Sequence, residues 1–205
     1  MKRTLLLSVL LATTLVAHPV KAQSVDTGDW EVATDNTWRF VVAVPPDWEV
    51  VRVDMASIRF SAVRMLAGGR GLECSVIAYS DVQSDKMTQS QLNTLLTDQG
   101  PPAPAAISVA LSSSGLPTTI DETRLEWVHG SPVYVYEGHI EIRSTTKPQM
   151  RRLLQETAAA PGMFYLVNCQ AKAGDLPSAN ALYDESLPTF KGFLESFMML
   201  PKSTD

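Results

Sequence analysis

Cysteine is scarce in this chain: two in 205 residues, Cys74 and Cys169, and they do not form a Cys-x-x-Cys pair. That spacing lowers a thiol's pKa in dithiol oxidoreductases, so its absence argues against a redox role. Positive charge is also short. Basic residues number 17 against 22 acidic ones, with no basic cluster, which argues against nucleic acid and anionic membrane surfaces. Arg52, Arg59, Arg64 and Arg70 are interspersed with Glu49, Asp54 and Glu73, a mixed surface rather than an anion site. No Gly-x-Ser-x-Gly elbow is present, and there is no internal repeat or long low-complexity tract. The glycine-rich Ala67-Gly-Gly-Arg-Gly71 lacks a Gly-Lys-Ser/Thr ending and a following helix, so it reads as a hairpin tip rather than a phosphate loop.

What the chain does have begins at its N-terminus. Lys2 and Arg3 precede an uncharged apolar run from Leu5 to Val16, and Val20-Lys21-Ala22 supplies small or modest side chains where a signal peptidase reads. The run falls short of the roughly 20 residues that a spanning helix needs, and Pro19 interrupts it. The expectation is a signal peptide over residues 1–22, cleaved after Ala22, and a single domain over 23–205. No cysteine lies near the cleavage site to carry a lipid, and no later segment approaches a spanning length. Cleavage removes Lys2, Arg3 and Lys21 and no acid, leaving 14 basic against 22 acidic side chains, a formal charge of −8. The 183 remaining residues suffice for one sizeable core. Location is expected to be periplasmic or secreted, where an even cysteine count predicts a disulfide between Cys74 and Cys169.

Strand signals dominate the middle of the chain. Trp38 to Val44, Trp48 to Val53, Ser57 to Met65 and Leu72 to Tyr79 are rich in β-branched and aromatic residues and are broken by Pro45-Pro46-Asp47 and the glycine-rich tip. Thr88 can cap a helix carrying Leu92, Leu95 and Leu96, which Gly100-Pro101-Pro102 stops. Ala103 to Gly115 fits a short helix or a loop. Strands return at Thr118 to Val128, Pro132 to Arg143, Met150 to Ala158 and Met163 to Ala173, the last two joined by an Ala160-Pro161-Gly162 turn. Gly174 to Asn180 reads as a polar connection. A C-terminal amphipathic helix follows, with Ser186 as its cap, Pro188 in its first turn, and Phe190, Phe193, Leu194, Phe197 and Met198 on one face. Pro201 ends it. The fold class is α+β: an antiparallel β-sheet covered by a few helices, an α/β/α sandwich-like arrangement.

Phe40-Val-Val-Ala-Val-Pro-Pro-Asp-Trp48 resembles the strand, proline, tryptophan opening of the Mog1/PsbP-like superfamily. The end of the chain is similar too, with the strand Phe164 to Cys169 preceding a helix that finishes Phe193-Leu-Glu-Ser-Phe197. The resemblance spans roughly residues 30–200 and implies an antiparallel sheet between helices. It also implies a largely non-enzymatic setting of binding, assembly and chaperone-like proteins, with no shared catalytic set. A Cys74–Cys169 bridge is not part of that pattern.

Three groups of residues are candidates for chemistry. Glu137, His139 and Glu141 alternate on one face of a strand and offer an imidazole between two carboxylates, a possible metal set. Neighbours two apart on a strand stand about 7 Å apart, which is long for one small ion, and the same alternation describes a solvated strand face. His129-Gly130-Ser131 with Asp121 invites a hydrolase reading, yet reads more simply as a turn. Met198-Met199-Leu200 extends past the helix and suits a partner surface. The leading expectation is a non-catalytic exported protein that binds a protein or envelope component and needs no cofactor. The alternatives are a small-molecule or lipid carrier with an apolar pocket, and a hydrolase or metal-dependent enzyme with a site assembled from loops.

Overall fold

The structure, a computed structural model, describes residues 29–51, 57–113, 115–143 and 148–202. The expected signal segment, and the last two residues of the expected Trp48–Val53 strand, lie outside these. Seven strands form one antiparallel sheet: β3 (Glu49–Val50), β4 (Ile58–Met65), β5 (Gly71–Ser80), β9 (Met163–Ala173), β8 (Gln149–Ala160), β7 (Ser131–Ile142) and β6 (Thr118–Val128), in that spatial order. The β4–β5, β6–β7 and β8–β9 pairs are hairpins, so short turns set most of the register. The third closes through Pro161 and Gly162, the latter at φ 79°. A smaller sheet orders β1 (Glu31–Asp35), β2 (Phe40–Val44) and β10 (Met198–Met199).

Alternation along β7 separates the two sides of the large sheet. Val133 and Val135 join the main core, whereas Tyr134 and Tyr136 join a second cluster on the opposite face. The second cluster is covered by α1 (Gln89–Gln99) and α2 (Pro104–Ser112) through Leu96, Ile107 and Leu111. Thr88 caps α1 in a capping box with Gln91. The stretch left open between helix and loop is helical from Pro104, with proline in the first turn where its missing N–H is harmless.

The helix α3 (Leu176–Ser196) covers the other face, and its Phe190, Phe193 and the following Phe197 are buried between the large sheet and β2. It starts ten residues before the expected cap at Ser186. Asp175 is the cap, accepting from the Ser178 N–H at 2.8 Å, so the expected polar connection is mostly helix. Pro188 lies inside the helix, not in its first turn. Proline there leaves the Asp184 carbonyl without its helical donor, but both residues are on the exposed side, open to solvent. The helix also ends earlier than Pro201. Ser196 Oγ accepts from the Ala43 N–H at 2.9 Å, and Met198 and Met199 leave the helix to pair with Val41 and Phe40. Cys74 and Cys169 are directly paired across β5 and β9 and bonded to each other, both fully buried on the α3 side.

Candidate functional site

A cleft of about 450 Å³ opens where the end of α3, β10 and the β6–β7 turn meet the large sheet. Its floor is Val133, Glu156, Ala158 and Ala160, neighbouring residues of β7 and β8 that point to the α3 side. One wall is Phe197 and the Met198-Met199-Leu200 segment, so the three residues expected at a partner surface line this cleft together. Met198 is exposed; Met199 and Leu200 are partly buried.

Local backbone chemistry holds the walls in place. Arg39 sits in the turn between β1 and β2 with φ 57°, a conformation uncommon for a side chain larger than glycine's. Its carbonyl accepts from Leu200 N–H at 2.7 Å and from the Tyr165 hydroxyl at 3.2 Å. Its guanidinium donates to the carbonyls of Pro161 at 3.0 Å and Leu200 at 3.3 Å. Arg39 thus clamps the C-terminal segment to the β8–β9 turn. Burial holds the Tyr165 phenol up at about 12, so it stays a neutral donor. Lys202, further along that segment, pairs with Asp85 at 2.7 Å. On the far side, His129 and Gly130 form the two-residue β6–β7 turn, both at positive φ, as a type I′ hairpin requires. His129 Nε2 stands 2.7 Å from the Glu195 carbonyl. A carbonyl can only accept, so Nε2 carries the proton.

Glu156 is the one acidic side chain on the cleft's floor. It is 2% exposed and has no hydrogen bond or ion pair among the described residues. Desolvation raises its carboxyl to about 8, helped by the negative charges of Glu126 on β6 and Glu195 on α3. At neutral pH it is mostly protonated. Sequence reading missed it because Gln155-Glu156-Thr157 looks polar and exposed, although strand alternation through Leu154, Glu156 and Ala158 was available to place it on an apolar face.

The other candidates gather elsewhere. Glu137, His139 and Glu141 share a strand face but do not converge. Glu137 accepts from Arg124 at 2.7 Å and from the Tyr183 hydroxyl at 3.0 Å, while Glu141 is paired with Arg143 at 3.1 Å. His139 Nδ1 lies 3.9 Å from Asp121, which is bonded to Arg152. Each carboxylate already faces a guanidinium, and no cluster of three such groups fit for a metal occurs among the described residues. The hydrolase arrangement is not assembled either. Ser131 and His129 both line the cleft, but His129 Nε2 is engaged by the Glu195 carbonyl and Asp121 is held in the Arg152 network. The tryptophans do not share one core: Trp30, Trp38 and Trp48 pack on the main cluster, whereas Trp127 is exposed. No helix among the described residues is long and apolar enough to cross a membrane.

No family model matches the sequence, and no curated protein matches it. Solved structures do. Cyanobacterial PsbP (CyanoP) from Synechocystis aligns with TM-score 0.54 at 13% identity, over 83% of this chain and 92% of its own. LpqN of Mycobacterium tuberculosis, described as involved in cell envelope biogenesis, aligns with TM-score 0.44 at 12% identity, over 79% of this chain and 83% of its own. The Saccharomyces cerevisiae Ran-binding protein Mog1p aligns with TM-score 0.41 at 8% identity, over 84% of this chain and 96% of its own. At these identities the likeness concerns the fold alone, which is like that of cyanobacterial PsbP.

Proposed function

We propose that this is a non-catalytic exported protein that works by binding a protein of the envelope or periplasm, and that the cleft beneath β10 is where the partner docks. The observation that carries this reading is the cleft itself. An adaptable methionine wall, held in position by Arg39, stands open over a floor of Val133, Ala158 and Ala160 around Glu156. The PsbP-like fold is compatible with an accessory role, and the acidic mature chain with its N-terminal export signal fits an extracytoplasmic setting. The carrier reading would need a more enclosed pocket lined by aromatic side chains; among the described residues, Phe197 is the only Phe or Trp in this lining.

Protein exported to a bacterial periplasm tests both parts. Its mass should begin at Gln23 and fall two hydrogens short of the reduced chain, with no retained apolar ligand. A photocrosslinker in place of Met198 should yield discrete protein adducts in the producing cell. The same probe at Val109, exposed on α2 across the molecule, should not. Equal labelling from both positions, or none from Met198, would refute the docking site.

A further inference from the structure

We infer that the group this cleft receives is a lysine side chain of the partner, its ammonium seated against Glu156 and its aliphatic stem along Val133, Ala158 and the methionine wall. The inference rests on the docking reading above and gives it a chemistry. A carboxyl in mid-sheet between Val135 and Val167 loses most of its hydration, and no hydrogen bond from the described residues replaces what is lost. An orphaned acid facing an open cleft is the feature that a ligand would complete.

The surrounding charges set the sign of that ligand. Glu195 from α3 adds negative potential at Glu156, as does Glu126 from β6, whose charge is shared with Arg124 in an ion pair. The cleft's own basic side chains are committed elsewhere: Arg39 to two backbone carbonyls, Lys202 to Asp85, and His129 through Nε2 to the Glu195 carbonyl. An entering cation therefore meets Glu156 with none of the cleft's basic side chains paired to it. Lysine fits better than arginine. Glu156 is the one carboxyl on a floor otherwise made by Val133, Ala158 and Ala160, which suits a compact point charge better than a guanidinium fork with five N–H donors to satisfy. The lysine stem can pack on apolar surface while its head reaches the acid.

Seating an ammonium favours the ionised carboxylate, so binding at neutral pH expels the proton from Glu156. Affinity should accordingly rise between about pH 6 and about pH 8.5.

The test uses the mature full chain and capped hexapeptides with one central lysine among alanine and leucine, read by fluorescence anisotropy. The lysine peptide should bind roughly tenfold or more tightly than its norleucine and acetyl-lysine counterparts, the value of a charge-assisted hydrogen bond. Glu156→Gln should erase that preference, so that lysine and norleucine peptides bind alike. In the wild-type chain, the carboxyl-carbon resonance of Glu156 should titrate at lower pH once the lysine peptide is bound, a readout independent of any variant. Equal binding of lysine and norleucine peptides overturns the inference. So does hexylamine binding as tightly as the lysine peptide, which would make the occupant a free amine. If the peptides show no lysine preference while crosslinking from Met198 persists, the ammonium is wrong and the docking site stands; if both fail, both fall.

Discussion

The hydroxyl of Tyr183 on α3 donates to the carboxylate of Glu137 on β7 at 3.0 Å, and this bond ties the long helix to the strand beside the β6 edge of the sheet. Glu137 also accepts from Arg124 at 2.7 Å, and Arg152 stacks its guanidinium 5.3 Å from the Tyr183 ring. Burial and the neighbouring negative charge push the Tyr183 phenol up, which keeps it a donor at every ordinary pH. Tyr183→Phe should lower stability by about 1.5 kcal/mol, the value of a hydrogen bond to a charged group. Glu137→Ala should lower it by about 3 kcal/mol, because two half-buried guanidinium groups lose their shared anion. Urea unfolding measures both. A smaller loss for Glu137→Ala than for Tyr183→Phe would contradict a structural role for the network. Equilibrium dialysis against zinc at about pH 7.5 should show no uptake, since the acids are already matched to arginines.

The cross-strand bridge makes a separate contribution. Cys74 and Cys169 lie 95 residues apart in sequence with Cα atoms 4.1 Å apart, the close approach of a non-hydrogen-bonded antiparallel pair. Closing a loop of that length should stabilise the fold by roughly 4–5 kcal/mol through the unfolded chain. The Cys74→Ala, Cys169→Ala double variant should therefore unfold at a clearly lower guanidinium concentration than the oxidised protein. Adding reductant to the wild type should move its midpoint the same way. A midpoint unmoved by either change would show that the bridge adds nothing to stability.

Gly138 explains why β6 and β7 can pair so closely. It stands opposite Ile120, next to the register shift between Ile120 and Glu122. A Cβ there would come within 2.9 Å of the Ile120 Cα and closer still to the Thr119 carbonyl oxygen, both backbone atoms that cannot swing away. Gly138→Ala should lower stability by about 2–3 kcal/mol, at the upper end of ordinary overpacking, because the bulge must open. Thermal unfolding checks this. Retention of full stability would mean that β6 shifts freely.

Most of the fold was legible because it is built from local signals. Hairpin turns such as Pro161-Gly162, the Thr88 capping box and strand alternation each act within a few residues, and they placed β4 to β9 and α1. What was not legible depends on distant partners. β1 carries little apolar content and forms because β2 offers it a pairing edge. Met198 continues the helical apolar spacing of α3, yet β2 captures it as a strand residue 157 positions away from Val41. Pro188 looked like a helix start, although Asp175-Leu-Pro-Ser178 holds a better one, with a capping acid and a first-turn proline. The site was half visible. The methionine wall was singled out for its chemistry, but its floor was not, since a glutamate between Gln155 and Thr157 announces burial only once α3 and β10 are in place over it.

Glu156 also makes the fold sensitive to pH. Its carboxyl titrates near 4.5 in the unfolded chain and at about 8 in the folded one. Below the lower value both states hold the proton and the fold carries no penalty from this group. As pH rises through the window, the unfolded chain ionises first and gains stability relative to the native state, until the native carboxyl also loses its proton near pH 8. The shift corresponds to a loss on the order of 4–5 kcal/mol across that window. Of the basic side chains that line the cleft, Arg39 is bound to two backbone carbonyls, Lys202 to Asp85 and His129 to the Glu195 carbonyl, so none of them faces Glu156 as a partner. Wild-type protein should melt well below its pH 5 temperature when measured at about pH 8.5. Glu156→Gln, which keeps the shape and cannot ionise, should hold its melting temperature nearly constant across the range and exceed the wild type at the alkaline end. If wild type and variant decline in parallel, Glu156 is ionised in the native state at neutral pH, and some partner in the folded chain must already be stabilising its charge.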